Sequence, residues 1–385
     1  MRKIRMGMVG GGQGAFIGSV HRMAAALDGK IELVCGAFSS NPERSLSSGE
    51  ELFLNKNRCY TSYQEMFDKE KALPKDQRMD FVSIVTPNHV HYPVASAALK
   101  AGFNVMSDKP ATFSLDEAIQ LQKEVNESGL LYGLTHNYTG YPMVKEAKAM
   151  IASGRIGKIR KVVAEYPQGW LSTFVEASGQ KQADWRTDPT RSGISGCMGD
   201  IGTHAENLLE YITGLKITEL IADLSTFVEG RKLDDDGNVL IKLENGAKGI
   251  LYASQISAGE ENGPQIRIYG EKGSLTWDQQ EPSKLTAKWL DAPMQVFKPG
   301  ANYAYYDGST QHNTRLPAGH PEGYLEAFAN LYKNFAELIL CKESGTEPSV
   351  YAQDIPTIED GVRGMKFIEA LVKSSKERTW LKLNP

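Results

Sequence analysis

The feature that most constrains this chain is a glycine-rich loop directly after its first apolar run. Ile4 to Val9 reads as a buried strand, and Gly10-Gly11-Gly12-Gln13-Gly14-Ala15 follows it and leads into a helical pattern. A strand, a glycine loop and a helix in this order are typical of a dinucleotide-binding βαβ unit. The pattern assigns the tight turn to Gly10, the close approach to a pyrophosphate to Gly12, and the close packing of helix on strand to Ala15 or Gly14.

The cofactor phosphates are then expected at the N-terminus of that helix, where backbone N–H groups and the helix dipole favour anions. This prediction assigns cofactor binding to the loop residues Gly10, Gly12, Gln13, Gly14 and Ala15. The alternative interpretation is a flexible turn without a ligand, which the strand and helix on either side of the loop disfavour.

The first 135 residues alternate short β-type runs with helical stretches, as expected of a parallel sheet. One helix is marked by Ser114 and Glu117, which have the spacing of a capping box. The predicted strands are Ile4 to Val9, Ile31 to Ala37, Phe81 to Thr86, Phe103 to Met106, and Leu130 to Thr135. The predicted helices include His21 to Leu27, Val94 to Ala101, and Leu115 to Ser128.

From about residue 155 the pattern changes to alternating apolar and polar positions with hairpin turn signals, typical of an antiparallel sheet. The predicted strands are Ile159 to Tyr166, Ile217 to Val228, Val239 to Leu243, Lys248 to Gln255, and Ile266 to Tyr269. The turn candidates are Asp236-Gly237, Asn245-Gly246 and Lys272-Gly273, and the closing helices are Tyr324 to Leu340 and Ile358 to Ser374. The expected fold is an α/β Rossmann domain with a mostly parallel sheet (1–135), followed by an α+β domain with a large open, mainly antiparallel sheet (136–385).

Charge and hydropathy exclude several classes of partner. The 385 residues carry 43 Lys and Arg against 47 Asp and Glu, so the chain lacks the basic excess that binding to a phosphate backbone needs. No run approaches 18 apolar residues, and the N-terminus reaches glycines before it forms the apolar region of a signal peptide. We expect a cytoplasmic protein with no nucleic-acid or membrane partner.

The end of the second predicted strand bears on the choice of nucleotide. An acidic residue commonly binds the ribose there, but this chain has Ser39, followed by Ser40 and Arg44. Two hydroxyls and a guanidinium suit a 2′-phosphate, which favours NADP over NAD. The alternative is an ordinary polar loop that begins the next helix.

Four motifs in order resemble the Gfo/Idh/MocA family of NAD(P)-dependent oxidoreductases, which act mostly on sugars and cyclitols. They are the glycine loop, Thr86-Pro87-Asn88 with His91, Asp108-Lys109-Pro110, and Gly199-Asp200-Ile201-Gly202-Thr203-His204. The resemblance implies a second domain that binds substrate and usually makes oligomer contacts, and it implies a cis peptide bond before Pro110. Asp108 stands where the family usually has Glu, and the glycine loop carries extra residues before His21.

Oxidation of a secondary alcohol needs a base, a group that steadies the developing alkoxide, and a bound nicotinamide. Asp200 and His204 are spaced i, i+4, so a helix over this segment would place both on one face. His204 suits proton transfer near neutrality, Lys109 can donate to the reacting oxygen, and Asp200 can orient the substrate. The alternatives are a backbone-bonded buried histidine and a solvated lysine.

Further candidates carry weaker signals. Thr86, Pro87 and Asn88 are expected to line the nicotinamide ribose, and the resemblance adds His91, Asp108 and Lys109 to the cofactor site. Asn137 and Tyr138 follow the last strand of the first domain and are assigned to cofactor and substrate, respectively. Trp185 and Arg186 resemble a substrate-contacting pair, with a surface salt bridge as the alternative, and His320 begins a segment that either completes the pocket or simply turns.

No metal site is predicted. His89 and His91 have the spacing of a ligand pair but lack a third ligand nearby, and Cys197 lacks thiol or imidazole partners. Asp234-Asp235-Asp236-Gly237 lacks the alternation of a calcium loop and is interpreted as a solvated hairpin.

These observations predict an NAD(P)-dependent dehydrogenase or reductase acting on a secondary hydroxyl or keto group of a sugar, sugar derivative or inositol. Lys109, Asp200 and His204 are the catalytic candidates, and the substrate contacts are Lys109, Tyr138, Trp185, Arg186, Asp200, His204 and His320. One alternative is an enzyme that cleaves glycosides by oxidation, elimination and reduction with recycling of the cofactor, and another is a non-catalytic nucleotide sensor. An open sheet favours a homodimer or homotetramer.

Overall fold

The computed structural model describes residues 2–383, which divide into two compact units: residues up to 137 with 324–362, and residues 138–323 with 363 onward. The strands are β1 (Ile4–Gly10), β2 (Ile31–Ala37), β3 (Phe81–Val85), β4 (Asn104–Ser107), β5 (Tyr132–Leu134), β6 (Ile159–Pro167), β7 (Ile217–Ser225), β8 (Asp236–Leu243), β9 (Lys248–Ser254), β10 (Gln265–Gly270), β11 (Gly273–Asp278), β12 (Leu285–Trp289), β13 (Gln295–Phe297) and β14 (Leu381–Lys382).

The α-helices are α1 (Phe16–Leu27), α2 (Pro42–Glu51), α3 (Tyr63–Ala72), α4 (His91–Ala101), α5 (Leu115–Ser128), α6 (Pro142–Ala152), α7 (Lys181–Arg186), α8 (Pro189–Ser192), α9 (Thr203–Thr213), α10 (Gly308–His312), α11 (Tyr324–Ser344) and α12 (Ile358–Glu377). Across residues 2–383, no helix combines the length and the apolar character that a membrane crossing requires.

The first unit is built on a five-stranded parallel sheet in the order β2-β1-β3-β4-β5, which confirms the predicted Rossmann architecture. Val82, Ile84 and Val105 are fully buried, as expected of central strands covered on both faces. The predicted N-cap is present, because Ser114 accepts from the Glu117 N–H. The Glu117 carboxylate reaches one residue further back than in a capping box and accepts from the Phe113 N–H.

Residues 324–362 belong to this first unit, although the sequence interpretation assigned them to the second domain. Helix α11 buries Phe328, Tyr332 and Phe335 in the same core as Ile4 and Phe81 of the sheet. A parallel sheet needs apolar cover on both faces, and this helix supplies it from far along the chain. The predicted division into two continuous domains, 1–135 and 136–385, is therefore corrected, because residues 324–362 return to the first unit.

The second unit contains a nine-stranded sheet in the order β13-β12-β11-β10-β6-β9-β8-β7-β14. All neighbouring pairs are antiparallel except β6 and β9, so the predicted mainly antiparallel sheet is confirmed. Asn245-Gly246 forms the predicted turn between β8 and β9, with Gly246 at a φ of 87°.

The Asp236-Gly237 pair is not a turn, contrary to the sequence prediction, because both residues lie inside β8. A Cβ on Gly237 would come within 2.5 Å of the Met198 side chain. The glycine is therefore explained by close packing of another segment on the strand, rather than by turn geometry.

Candidate functional site

The glycine loop follows β1 as predicted, and Gly10 and Gly12 are required for different local reasons. At Gly10, with a φ of 82°, an added Cβ would lie 2.6 Å from Val85 O. At Gly12 it would lie 2.6 Å from Ser48 Oγ, and the Gly12 N–H donates to Phe38 O at 3.2 Å. The loop is thus held against the ends of β2 and β3.

The close packing of helix on loop occurs at Gly18, and not at Ala15 or Gly14 as the motif spacing predicted. A Cβ on Gly18 would lie 2.4 Å from Gly11 Cα, which leaves no room for a side chain. Ala15 is instead the N-cap residue of α1. The loop carries extra residues, so the glycine that permits close packing of the helix lies about one helical turn later than the motif predicts.

The N-terminus of α1 has the character of an anion site. Its first turn carries no acidic residue, and Ala15 provides no side-chain cap, so α1 itself does not neutralise the positive end of its dipole. The Glu51 carboxylate of α2 lines the same cavity. A cavity of about 460 Å³ is lined by Gly12, Gln13, Gly14 and Ala15 together with side chains of α1 and α2. Gln13 is anchored to α2 by two hydrogen bonds. Its backbone N–H donates to Ser48 Oγ, and its side-chain Nε2 donates to Glu51 Oε1.

The loop after β2 presents the residues predicted to select the nucleotide. Asn41 caps α2 by accepting from the Arg44 N–H at 2.9 Å, and the Asn41 N–H donates to Ser39 Oγ at 3.1 Å. Ser40 and Arg44 are exposed. Because Ser39 accepts through its oxygen, its O–H remains a donor toward a ligand oxygen.

His91 connects two loops. It was predicted to contact the cofactor, but the structure gives it a structural role. Its Nδ1 lies 2.7 Å from Pro110 O and its Nε2 lies 2.8 Å from Thr86 O, so both ring nitrogens are occupied by backbone. Burial lowers the pKa of the imidazole. The ring fixes the turn after β3 relative to the turn after β4.

Lys109 follows β4 at the carboxyl edge of the parallel sheet, where ligands bind in open α/β folds. Asp108 Oδ1 accepts from the Lys109 N–H and from Thr135 Oγ1, both at 2.9 Å. The Asp108 N–H donates to Ile84 O, and the Lys109–Pro110 peptide bond is cis, as the resemblance implied. The shorter acid in the motif is thus used to fix the lysine backbone.

Two buried polar atoms at this edge have no hydrogen-bond partner within residues 2–383: Thr86 Oγ1 and Asn137 Nδ2. A buried polar group left unpaired is costly, so such atoms indicate that a polar ligand completes them. Together with the glycine cradle and the N-terminus of α1, they fit a nicotinamide dinucleotide. Pro87 and Asn88 lie in the same turn after β3.

In the second unit, Asp200 and His204 do not share one regular α-helix, contrary to the prediction. Met198–Gly202 forms a π-helical turn, and α9 begins only at Thr203. Asp200 therefore lies on the wider turn and His204 on the first turn of the helix. π-Helical turns occur frequently at functional sites, because they re-aim side chains that a regular helix would place elsewhere.

The Asp200 carboxylate receives two donors from other segments. Asp200 Oδ2 accepts from Arg186 Nε at 3.2 Å and from Gln255 Nε2 at 3.0 Å. Arg186 also stacks on the Trp185 ring, with 4.2 Å from its guanidinium carbon to the ring centroid. The Trp185 and Arg186 pair thus belongs to the Asp200 cluster, and the salt bridge is partly buried rather than superficial.

His204 is 8% exposed, and its ring packs edge-to-face on Tyr138 with 4.9 Å between centroids. The Tyr138 hydroxyl bonds with Tyr166, Tyr166 donates to Asn262 Oδ1, and Asn262 Nδ2 donates back to Tyr138. This closed ring of hydrogen bonds occupies the phenol that was predicted to contact substrate. Tyr138 is therefore reassigned as a support for the His204 ring.

His320 is exposed, and its Nδ1 lies 3.2 Å from Pro317 O. His320 takes no part in the hydrogen bonds that join Asp200 to Arg186 and Gln255.

Within residues 2–383, no group of three or more His, Cys, Asp or Glu side chains has a metal-binding arrangement.

The sequence interpretation missed Gln255 and Asn262. Gln255 is the last residue of the strand run predicted from Lys248, one position beyond the end of β9, and a polar amide at the end of a strand was the available signal. Asn262 lies in the loop between β9 and β10, where the sequence gives no pattern that distinguishes it from other polar loop residues.

Comparisons with known proteins match both units. Residues 4–136 match the oxidoreductase family model described as an NAD-binding Rossmann fold, and residues 144–276 match the GFO/IDH/MocA C-terminal domain. The uncharacterized oxidoreductase YfiI of Bacillus subtilis is 35% identical over 98% of this chain and 95% of its own length.

Solved structures agree with these matches. An oxidoreductase from Sinorhizobium meliloti is 44% identical and superimposes with a TM-score of 0.88, covering 99% of this chain and 100% of the other. An inositol dehydrogenase homologue from Azotobacter vinelandii, solved with NADH and myo-inositol, is 35% identical with a TM-score of 0.91, covering 99% and 98%.

Proposed function

Because this chain belongs to the Gfo/Idh/MocA family of NAD(P)-dependent oxidoreductases, which act on CH–OH groups, we propose that its substrate is a sugar, sugar derivative or inositol. The reaction is the interconversion of a secondary hydroxyl and a keto group. The observation that carries this proposal is the Asp200 cluster, in which a carboxylate is oriented by Arg186 and Gln255 one helical turn before His204. The relative that binds NADH and myo-inositol supports the choice of a polyol.

Three side chains are assigned to the reaction. Lys109 donates a hydrogen bond to the reacting oxygen and stabilises the negative charge that develops there. A ring nitrogen of His204 takes the hydroxyl proton during oxidation and returns it during reduction. Asp200 accepts hydrogen bonds from substrate hydroxyls, a role that suits a carboxylate already oriented by two donors.

The cofactor would be held by the glycine loop, the N-terminus of α1, and the turn that contains Thr86, Pro87 and Asn88. When bound, the nicotinamide supplies the hydride acceptor or donor. Asn137 Nδ2 and Thr86 Oγ1 supply polar contacts at the sheet edge. Asp108 acts indirectly, because its carboxylate holds the backbone of Lys109.

The choice of nucleotide depends on the loop after β2. Ser39, Ser40 and Arg44 offer two hydroxyls and a cation where a carboxylate would repel a 2′-phosphate, so the proposal favours NADPH over NADH. Arg44→Ala is expected to weaken NADPH binding about tenfold and to leave NADH binding unchanged. Equal effects on both nucleotides would contradict this assignment.

Self-association through the sheet of the second unit completes the proposal. Leu240, Tyr269 and Val296 of this sheet are 50%, 41% and 48% exposed, an apolar surface that a second copy would cover. Light scattering after size-exclusion chromatography tests this, with a dimer or tetramer of the 385-residue chain as the expected result.

The deciding experiment is titration with NADPH and NADH, followed by nicotinamide absorbance with a panel of aldoses, polyols, inositols and glycosides. Nucleotide binding with a substrate-dependent absorbance change supports the dehydrogenase. Binding without net change but with release of sugar from glycosides identifies the cofactor-recycling enzyme, and binding without either reaction identifies a sensor. Failure to bind either nucleotide overturns the proposal.

A further inference from the structure

Asp234 lies in the segment that precedes β8 and holds the turn that leads into Asp200. Its Oδ1 accepts from Ser195 Oγ and from the Gly196 N–H, both at 2.8 Å, and its Oδ2 accepts from the Met198 N–H at 2.9 Å. Its backbone oxygen accepts from the Cys197 N–H. Four consecutive residues of this turn are thus bound to one aspartate.

These contacts reach Asp200 through the turn itself. The Asp200 N–H donates to Gly196 O at 2.9 Å, and the Gly199 N–H donates to Ser195 Oγ at 3.0 Å. The segment Ser195 to Asp200 is therefore a continuous hydrogen-bonded structure whose external anchor is the Asp234 carboxylate. Glycine at 196 and 199 offers little stiffness of its own, so the anchor has a geometric task.

The neighbouring residue, Asp235, holds the other side of the cluster. Its backbone oxygen accepts from the Gln255 N–H at 2.9 Å, and Gln255 donates through its side chain to Asp200. The Asp235 carboxylate is itself fixed by the Phe227 and Val228 N–H groups and by Arg231. One dipeptide therefore anchors both the Asp200 turn and a donor to its carboxylate.

The acidic run was interpreted as a solvated hairpin, and the structure corrects this. Asp235 is fully buried and Asp234 is partly buried, and the carboxylates of both accept from backbone N–H groups. Such a use of a charged group to fix backbone geometry is expected where a functional side chain must be held within a fraction of an ångström.

We propose that Asp234 is a positioning residue for the reaction, setting the place of Asp200 against Gln255 and Arg186 through the Ser195 to Met198 turn. This inference rests on the proposed function of Asp200. Asp234 does not contact substrate or cofactor in this scheme. Its effect is exerted through the turn, so nucleotide affinity is expected to stay near the parental value.

The test compares Asp234→Asn with Asp236→Asn. The amide introduced by Asp234→Asn keeps an acceptor for Ser195 and Gly196 but turns an N–H toward the Met198 N–H, which disrupts one anchor without a large change of volume. Asp236 is the matched control, because it is an acidic residue of the same run whose carboxylate bonds with Asn238 and Ser254 rather than with the Ser195 to Met198 turn. Ser195→Ala is a milder second variant, because it removes one hydrogen bond to Asp234 and one from Gly199.

Two measurements are made on each folded variant, with melting temperature as the check of folding. Hydrogen exchange of the peptide covering residues 194–203 reports the order of the turn without any substrate. Steady-state kinetics with the polyol found in the panel reports kcat and the KM for the polyol. For Asp234→Asn we expect faster exchange in this peptide, a roughly 10- to 100-fold loss of kcat, and NAD(P)H affinity within about twofold of the parent.

The split between kcat and KM separates positioning from general damage. If Asp200 loses alignment with its two donors, the substrate hydroxyls are held less well against His204, so the KM for the polyol rises while kcat falls. Loss of stability alone lowers the amount of active enzyme but leaves KM in place. Asp236→Asn is expected to match the parent in all readouts.

The outcomes distinguish this inference from the proposed function. Faster exchange with unchanged kcat and unchanged KM overturns the positioning role. Unchanged exchange in both Asp234→Asn and Ser195→Ala overturns the anchor itself. If the parent oxidises no polyol, the proposed function fails while the exchange result still decides whether Asp234 orders the turn.

Discussion

The turns that carry Lys109 and Asp200 are each fixed by an aspartate, but the aspartate comes from very different distances along the chain. Asp108 is adjacent to Lys109 and caps its N–H directly. Asp234 lies 36 to 39 residues beyond the groups it binds in the Asp200 turn. The contact between Asp108 and Lys109 is thus local in sequence, whereas the contacts of Asp234 depend on the tertiary fold.

The largest expected effect tests whether both turns serve one reaction. Lys109→Ala removes the donor to the reacting oxygen and His204→Ala removes the proton acceptor, so each variant should lose about 10³-fold or more in kcat. Nucleotide titration should give nearly unchanged affinity, because the changes affect the transition state rather than cofactor binding. Lys100→Ala is the control, since Lys100 is an exposed lysine on α4 of the first unit.

Unchanged turnover in either variant would remove that residue from the mechanism. A loss of kcat in one variant alone would mean that only one of the two turns serves the reaction. The other turn would then have a structural role.

The next largest effect is expected when the hydrogen bond between the Lys109 N–H and Asp108 is removed. Asp108→Ala removes the acceptor for the Lys109 N–H and for Thr135 Oγ1, and we expect a roughly 10- to 100-fold loss of kcat as the lysine loses its fixed position. Thr135→Val is the matched control, because it removes only the second hydrogen bond and leaves the Lys109 contact in place. Steady-state kinetics of the two variants should separate by about tenfold or more. Equal losses would show that the Lys109 contact is not the important one.

The same contrast explains how much the sequence could predict. The parallel sheet and the glycine loop were predicted because strand, loop and helix are contiguous. The role of Gly18, by contrast, depends on where α1 crosses Gly11, and the π-helical turn before α9 depends on anchors from Asp234. Gln255 and Asn262 became visible as site residues only when the sheet of the second unit brought their loops to Asp200 and Tyr138.

Helix α11 shows the same limit at the level of domains. Its helical pattern was predicted, but its place in the first unit follows from the apolar face that the parallel sheet exposes. Periodicity indicates that a face will be buried, and it does not indicate which sheet will bury it.

Acid should destabilise the first unit more than the second. Burial lowers the pKa of His21 in the first unit to about 4, against about 6.5 in the unfolded chain. Between these values the unfolded chain binds the extra proton more readily, so the free energy of unfolding falls as pH drops from about 6.5 toward 4, by about 3 kcal/mol in total. His91 contributes in the same direction, whereas burial raises the pKa of Asp234 and Asp236 in the second unit, which has the opposite sign.

Urea unfolding at about pH 7.5 and about pH 5, followed by hydrogen exchange of peptides from each unit, measures this. Peptides around α1 and α11 should lose protection first at the lower pH. His21→Phe removes the titrating group while keeping the ring contact with Phe328, so its pH dependence should be shallower. An identical slope in parent and variant would exclude His21 as the source.

The smallest expected effect concerns a local turn of the second unit. Gly246, between β8 and β9, has a φ of 87°, and an added Cβ would meet nothing within 4 Å. Gly246→Ala is therefore destabilising through backbone strain alone, by about 1 kcal/mol. Gly364→Ala in α12 is the matched control, because an added Cβ there also meets nothing within 4 Å, while its backbone is helical. Alanine there should stabilise by about 0.5 kcal/mol.

Chemical denaturation of the two variants gives the difference directly, and kcat should remain at the parental value in both, because neither position touches the Asp200 cluster. Opposite signs in the two variants would show that the Asn245-Gly246 turn is held by its own backbone, as the Lys109 turn is held by its own aspartate. A loss in both would mean that packing, rather than local conformation, governs these glycines, and the distinction between local and tertiary anchors would not extend to the second unit.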